Sequence, residues 1–272
     1  FYLDSTLVEH NLIEKCGWQD VEQYFESGGI KLHFTHNCLI RRNVIRDMVY
    51  GPGIWIDAKN NNSRVCQNRI LNCHSCMFGA IFVEISYPSN LVDNNIVWGV
   101  RANRDKIDTA QGGHGIYEHE CDHLRIENNL VAHCEGACVF LHSEDSNRIF
   151  EGRGTRGKKN RVTGNILSDA QLAINFPNCD NFADANILGH FCEPGCLRIE
   201  QPFERLDLSA WREFYGWDMH GMVLPLEISL DEEKQAVSVR IQTEGKTAEK
   251  VFGPDPNFDI AKFVQEIISE IP

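Results

Sequence analysis

The sequence predicts an all-β protein whose main part is a right-handed parallel β-helix of the pectin-lyase-like type. Short segments with a central Asn recur along the chain, and a second series of short alternating strands lies between them. No helical pattern separates the two series. Repeats of about 20–50 residues are typical of solenoids, in which each repeat adds one coil.

The first series defines the coil length through its Asn residues. Their spacings are 32, 25, 27, 34, 36 and 21 residues. These residues are Asn11, Asn43, Asn68, Asn95, Asn129, Asn165 and Asn186. Equivalent residues of successive coils lie above one another, so we expect their side chains to hydrogen-bond in an internal ladder. Cys16, Cys73 and Cys134 each follow a repeat Asn by five residues, which predicts a second stack inside the solenoid.

The second series predicts a wall of outward-pointing side chains. Alternate residues of a strand point to opposite faces, so every second residue leaves the core. One outward column reads Lys31, Trp55, Phe82, Tyr117, Phe140 and Asn175. The next reads His33, Asp57, Glu84, His119, His142 and Pro177. Imidazoles and carboxylates flanked by aromatic rings indicate a functional site on this wall.

The solenoid pattern covers residues 1–196, and residues 197–272 differ from it. Two alternating segments, 224–230 and 236–242, predict a β-hairpin. Apolar residues at helical spacing over 260–271 predict an amphipathic helix. We expect this C-terminal part to pack against the end of the solenoid, where edge groups are otherwise exposed. The chain does not begin with Met, and we expect it to be the C-terminal part of a longer protein.

Composition excludes some partners and predicts a compartment. The net charge of −13 disfavours binding to nucleic acid, and no apolar run reaches the roughly 18 residues of a membrane span. An odd count of 11 cysteines favours free thiols over a disulfide framework. Free thiols are typical of reducing compartments, so we expect a cytoplasmic protein.

Asp57 and Glu84 occupy the same position on consecutive strands of the wall. Neighbouring parallel strands lie about 4.8 Å apart, and we expect about that separation for the two carboxyl groups. Retaining glycosidases hold their two carboxyl groups about 5–5.5 Å apart, and inverting ones about 6.5–9.5 Å. The spacing therefore favours a retaining glycosidase. Lys31 and His33 favour an ionised, nucleophilic Asp57, and apolar Phe82 favours a protonated Glu84 that acts as acid.

Other residues near this pair are expected to bind the sugar. Trp55 and Phe82 offer apolar faces suited to sugar C–H groups. Glu26 precedes the Lys31 strand and is expected either to bind a sugar hydroxyl or to hold Lys31. The expected substrate-binding set is Glu26, Lys31, His33, Trp55, Phe82, Tyr117, His119 and His142.

These segments resemble the β-helix β-xylosidases of glycoside hydrolase family 120. The resemblance is carried by residues 25–33, 53–57, 82–85 and 91–95, and it extends over roughly residues 10–145. It implies a retaining exo-glycosidase that releases terminal xylose from xylo-oligosaccharides. The implied nucleophile is Asp57, the implied acid/base is Glu84, and the implied substrate-binding carboxylate is Glu26. Members of that family are considerably longer than this chain.

Several alternatives stay open at this point. An α-L-fucosidase or a xylanase would use the same scaffold. In a calcium-dependent polysaccharide lyase, Asp57 and Glu84 would hold Ca²⁺ and Lys31 or Lys59 would act as base, but the wall carries more aromatic rings than arginines. A non-catalytic adhesion module is the third class. We expect an oligosaccharide substrate, no metal or other cofactor, no nucleic-acid or membrane partner, and a possible homo-oligomer.

Overall fold

Parallel strands wind into a β-helix, as the Asn repeats predict. The computed structural model describes residues 3–18, 27–74, 78–86, 88–102, 112–144, 149–150, 153–154, 156–191, 195–243 and 246–270. Within these residues, three columns of parallel strands form the walls of the solenoid, and each column pairs equivalent segments of successive coils. We call the columns sheet 1, sheet 2 and sheet 3.

Sheet 1 holds the short strands that precede the repeat Asn residues. Its strands are Leu7–Glu9, Leu39–Arg41, Arg64–Cys66, Leu91–Asp93, Arg125–Glu127, Arg161–Thr163 and Phe182–Asp184. Sheet 2 follows the repeat Asn residues. It contains Leu12–Glu14, Val44–Met48, Arg69–His74, Ile96–Arg101, the first parts of Leu130–His142 and Ile166–Phe176, then Ile187–Leu188 and Met222–Val223.

Sheet 3 carries the predicted functional wall. It contains Ile30–His33, Ile54–Asp57, Gly79–Glu84, His114–His119, the second parts of the two long strands, and Leu197–Ile199. Because Leu130–His142 and Ile166–Phe176 run through both columns, sheets 2 and 3 are joined into one curled sheet. Two short pairs lie outside these columns: Leu3–Asp4 with Thr35–His36, and Ile149–Phe150 with Arg153–Gly154.

The Asn ladder forms inside the solenoid as expected. From Asn11 to Asn186, each side-chain amide donates to the Oδ1 of the next Asn at 2.9–3.0 Å. Each backbone N–H of the ladder donates to the same oxygen. Asp218 ends the ladder, since its Oδ1 accepts from the Asn186 side chain at 2.8 Å. Sequence reasoning missed Asp218 because it changes the residue type at the last position.

The predicted cysteine stack also lies in the core. Cys73 and Cys134 are buried there, and Cys16 packs against it from the first coil. Every cysteine among the described residues is a free thiol. Apolar residues at equivalent positions, among them Ile54, Ile81 and Ile116, fill the rest of the interior.

Parallel pairing continues past residue 196, and a short cap then closes the last coil. Leu197–Ile199 pairs with the end of Ile166–Phe176 and with the antiparallel strand Glu204–Leu206. The helix Leu208–Tyr215 follows and places Trp211 at 0% exposure against Phe176, with the ring centroids 5.6 Å apart. This segment covers the core where the coils end.

The remaining C-terminal elements cover the side of the solenoid. The predicted hairpin is present as Leu226–Asp231 and Ala236–Thr243, and the predicted helix as Ile260–Glu270. A third strand, Lys246–Phe252, was not predicted because charged residues interrupt its apolar pattern. These elements pack on outward apolar residues of sheet 2 rather than on the solenoid end. No helix among the described residues is long and apolar enough to cross a membrane.

Replacing Asp218 tests how the ladder ends. Burial raises the pKa of the Asp218 carboxyl from 3.8 to about 6. The folded chain keeps this proton to about pH 6 and the unfolded chain releases it near about pH 4, so the free energy of unfolding falls by about 3 kcal/mol as pH rises through this window. We expect Asp218→Asn, which keeps the acceptor oxygen, to remove that fall and to stabilise the fold at neutral pH.

Urea denaturation at about pH 4.5 and pH 7.5 measures this difference. The exposed Asp180→Asn variant is the matched control and is expected to change little at either pH. An Asp218→Asn variant with the pH dependence of the parent chain would contradict the assignment.

Candidate functional site

The titratable column lies on one face of sheet 3, in the order that the sequence predicts. The strand register pairs His33 with Asp57, Asp57 with Glu84, Glu84 with His119 and His119 with His142. Each pair belongs to neighbouring parallel strands, which are about 4.8 Å apart. The structure therefore brings these five side chains into one continuous row.

Asp57 is held by a lysine and lies at the edge of solvent. Lys31 Nζ lies 3.1 Å from Asp57 Oδ2, and the two side chains are 22% and 17% exposed. Lys31 Nζ also lies 3.5 Å from the centroid of the Trp55 ring, where a cation is attracted to the ring face. His33 Nε2 is 4.0 Å from the other Asp57 oxygen. These contacts fix the carboxylate while leaving it reachable by a ligand.

Glu84 lies beside Asp57 and shares a neighbour with it. The Trp55 indole N–H donates to Glu84 Oε2 at 3.3 Å. The Lys31 ammonium group lies over the face of the same indole ring. Trp55 therefore contacts Glu84 directly through its N–H and is linked to Asp57 through the Lys31 ammonium group above its ring face.

The outward aromatic column is packed rather than open. Trp55, Phe82, Tyr117 and Phe140 are 1%, 0%, 4% and 7% exposed. Consecutive ring centroids are 4.9, 5.1 and 5.6 Å apart, so rings on successive coils cover one another. In this structure the Trp55 and Phe82 faces are closed to a sugar, and the rings pack beside the carboxylate column on the same face of sheet 3. Burial first, and then the charges of Glu118 and Glu84, raise the pKa of Tyr117.

Two imidazoles and a carboxylate form a metal-compatible group next to Glu84. One ligand atom each from His119, His142 and Glu144 lies within 4.8 Å of the others. His119 Nε2 is 3.7 Å from Glu144 Oε1, and the His119 and His142 ring centroids are 5.1 Å apart. Imidazole nitrogen and carboxylate oxygen suit Cu²⁺ and Zn²⁺. The donor set therefore fits a transition-metal ion.

Sequence reasoning missed several polar residues of this wall. Glu144 lies just beyond a strand, and Glu200 directly follows the strand Leu197–Ile199, which the Asn repeats do not mark. Glu200 Oε2 lies 4.0 Å from His142 Nδ1, and Arg198 Nη2 donates to Glu200 Oε1 at 3.2 Å. Counting this strand as another coil would have revealed Arg198 and Glu200.

Glu118 occupies a core-facing position of sheet 3, opposite Val83. Its side chain is fully buried, and that burial raises the pKa of the Glu118 carboxyl well above its usual value. Its Oε1 accepts from the Cys121 backbone N–H. An acid here breaks the apolar alternation, which is why sequence reasoning left it out.

Two further residues, Glu26 and Lys59, were expected to take part in substrate binding or catalysis. Glu26 lies outside the described residues. Lys59, the alternative lyase base, is 4% exposed, and its Nζ lies 5.0 Å from the Phe34 ring centroid. The other candidate base, Lys31, contacts the carboxylate pair through Asp57.

Comparisons with known proteins identify the family. A family model described as "NosD: Periplasmic copper-binding protein (NosD)" matches residues 4–152, more than half of the chain. The chain therefore belongs to the NosD family. No curated protein matches it.

One solved structure shares the β-helix fold. It is described as "The complex structure of XylC with xylose", is 17% identical and superposes with a TM-score of 0.51. The match covers 89% of this chain and 40% of that chain, so this chain spans less than half the length of its structural relative.

The family description corrects the expected compartment. The NosD family is periplasmic, so the prediction of a cytoplasmic protein is wrong. That prediction relied on free thiols, but several of these thiols, among them Cys73, Cys121 and Cys138, are completely buried. Burial raises the pKa of Cys73 to about 12, which leaves little reactive thiolate. Thiols sealed inside a solenoid do not report on the compartment.

Truncating Phe82 tests whether the ring supports the site or faces solvent. Phe82 is 0% exposed, so we expect Phe82→Ala to lower the free energy of unfolding by about 3–5 kcal/mol. Phe214, which is 65% exposed, provides the control, since Phe214→Ala should change stability by about 0.5 kcal/mol or less. Denaturant unfolding measures both variants. If both variants lost a similar, small amount of unfolding free energy, the Phe82 ring would be exposed to solvent and its supporting role would be contradicted.

Proposed function

We propose that this NosD-family chain is a retaining glycosidase that releases terminal β-xylose, with Asp57 as nucleophile and Glu84 as general acid/base. The observation that carries the proposal is the direct register of these two residues on neighbouring parallel strands. That register sets the carboxyl groups about one strand spacing apart, close to the roughly 5–5.5 Å typical of retaining enzymes.

In the first step, the Asp57 carboxylate attacks the anomeric carbon and the bond to the leaving oxygen breaks. Glu84 gives its proton to that oxygen, and a glycosyl ester on Asp57 results. In the second step, Glu84 takes a proton from water, which attacks the same carbon and releases Asp57. Two inversions return the sugar with its original β configuration.

The neighbours of the pair supply orientation. The Lys31 ammonium 3.1 Å from Asp57 holds the nucleophile, and the Trp55 N–H holds Glu84. Fixed geometry of this kind lowers the barrier, because less ordering is needed during the reaction. His33 and His119 lie on either side of the pair in the strand register, and we propose that they bind sugar hydroxyl groups.

The xylose assignment has a separate support. The structure that shares this fold is described as a complex with xylose, and residues 53–57 and 82–85 carry the resemblance to β-xylosidases. An α-L-fucosidase or a xylanase would use the same pair. A panel of aryl β-xyloside, α-arabinofuranoside, α-fucoside and β-glucoside separates the exo-acting alternatives, and polymeric xylan tests the xylanase.

Substitutions at the pair test the mechanism. We expect Asp57→Asn to reduce kcat on 4-nitrophenyl β-xyloside by about 10⁴-fold or more, because no nucleophile remains. We expect Glu84→Gln to reduce kcat by about 10²–10⁴-fold on a poor leaving group, and by less on 2,4-dinitrophenyl β-xyloside, whose departure needs little proton donation. The Asp180→Asn variant is the matched control. Full turnover in Asp57→Asn, or no turnover of any glycoside, would contradict the proposal.

A second candidate function is copper binding, which the NosD description names for the family. The observation that favours it is the group formed by His119, His142 and Glu144. A copper ion bound by these three side chains would place a positive charge on the surface of sheet 3, next to Glu84. Glu200, 4.0 Å from His142, would help to orient that imidazole, in the manner of carboxylates that support metal-binding histidines.

A further inference from the structure

The metal-compatible group and the carboxylate pair are parts of the same row. His119 is the register partner of both Glu84 and His142 on the neighbouring strands. A sugar bound at Asp57 and Glu84 therefore has His119 as its next neighbour along the solenoid axis. A metal ion held by His119 and His142 would occupy this same strip of surface.

The local charge favours a cation in this strip. Glu144 lies 3.7 Å from His119, Glu200 lies 4.0 Å from His142, and Glu84 is the register partner of His119. Among the described residues, Lys31 pairs with Asp57 and Arg198 donates to Glu200 and Asn175, so these two cations offset two of the four carboxylates of the row. A wall with this excess of negative charge concentrates cations from solution.

The group is most exposed at Glu144. The side chains of His119, His142 and Glu144 are 11%, 25% and 53% exposed, and the Nε2 atom of His119 is itself buried. We therefore expect a metal ion to enter from the Glu144 side.

We propose that a divalent transition-metal ion and the sugar compete for this strip of surface, so that metal bound at His119, His142 and Glu144 inhibits hydrolysis by blocking substrate binding. The inference rests on the proposed glycosidase function. It predicts competitive inhibition: the metal raises KM and leaves kcat unchanged. By linkage, an occupied sugar site must weaken metal binding by the same factor.

The test uses the full chain with two metals. Zn²⁺, which is redox-silent, is titrated into the aryl β-xyloside assay, and Cu²⁺ binding is followed by electron paramagnetic resonance. We expect saturating Zn²⁺ to raise KM at least about tenfold. Glu144→Gln should keep the turnover of the parent chain and need about 10–100-fold more Zn²⁺ for the same inhibition, as expected when a metal site loses a ligand. The exposed Glu233→Gln is the matched control.

A non-hydrolysable aryl β-thioxyloside supplies the reciprocal measurement. Without the thioxyloside, we expect the electron paramagnetic resonance spectrum of bound Cu²⁺ to show nitrogen hyperfine structure from the imidazoles. We expect the thioxyloside to weaken this Cu²⁺ binding. Unchanged metal affinity, or inhibition that Glu144→Gln does not relieve, would overturn competition while leaving the glycosidase intact. Absence of turnover in every assay would overturn the proposed glycosidase and this inference together, and the Cu²⁺ signal would then show whether copper binding alone stands.

Discussion

The Asn ladder fixes how the coils of this protein stack, and the functional wall depends on that stacking. The side-chain oxygen of each ladder Asn accepts hydrogen bonds from the backbone N–H and the side-chain amide of the Asn in the preceding coil. A coil displaced by one residue would therefore leave several buried polar groups unpaired. Such groups cost about 1–3 kcal/mol each. The same register places Asp57 against Glu84, and Glu84 against His119, on the far wall. Coils with different numbers of residues keep this alignment because the extra residues lie in the segments that connect the strands.

A second constraint is the packing of the aromatic column, which lies beside the titratable column on the same face of sheet 3. The Trp55 indole contacts both Lys31 and Glu84, so packing in the column is transmitted to the carboxylates. Residues that point away from the core of a β-helix are therefore not necessarily exposed.

Much of this organisation follows from sequence periodicity, and the exceptions have physical causes. The Asn spacing and the alternating strands predict the coils and the row from His33 to His142, because period and register are local properties. They do not predict the burial of Trp55 and Phe82, which depends on ring stacking between coils. Glu144 was missed because it lies in a loop after its strand. Glu200 was missed because no repeat Asn marks the coil that brings it close to His142. Asp218 closes the ladder through a residue of different type, and the compartment was misjudged because burial protects the thiols.

The proposed retaining mechanism depends on the register that pairs Asp57 with Glu84 on neighbouring strands. The anomer of xylose first released from an aryl β-xyloside, followed by proton nuclear magnetic resonance before mutarotation, tests that mechanism most directly. The proposed mechanism predicts that β-xylose appears first and that α-xylose forms later by mutarotation. Initial release of α-xylose would mean single displacement by water and would contradict the assigned roles of Asp57 and Glu84.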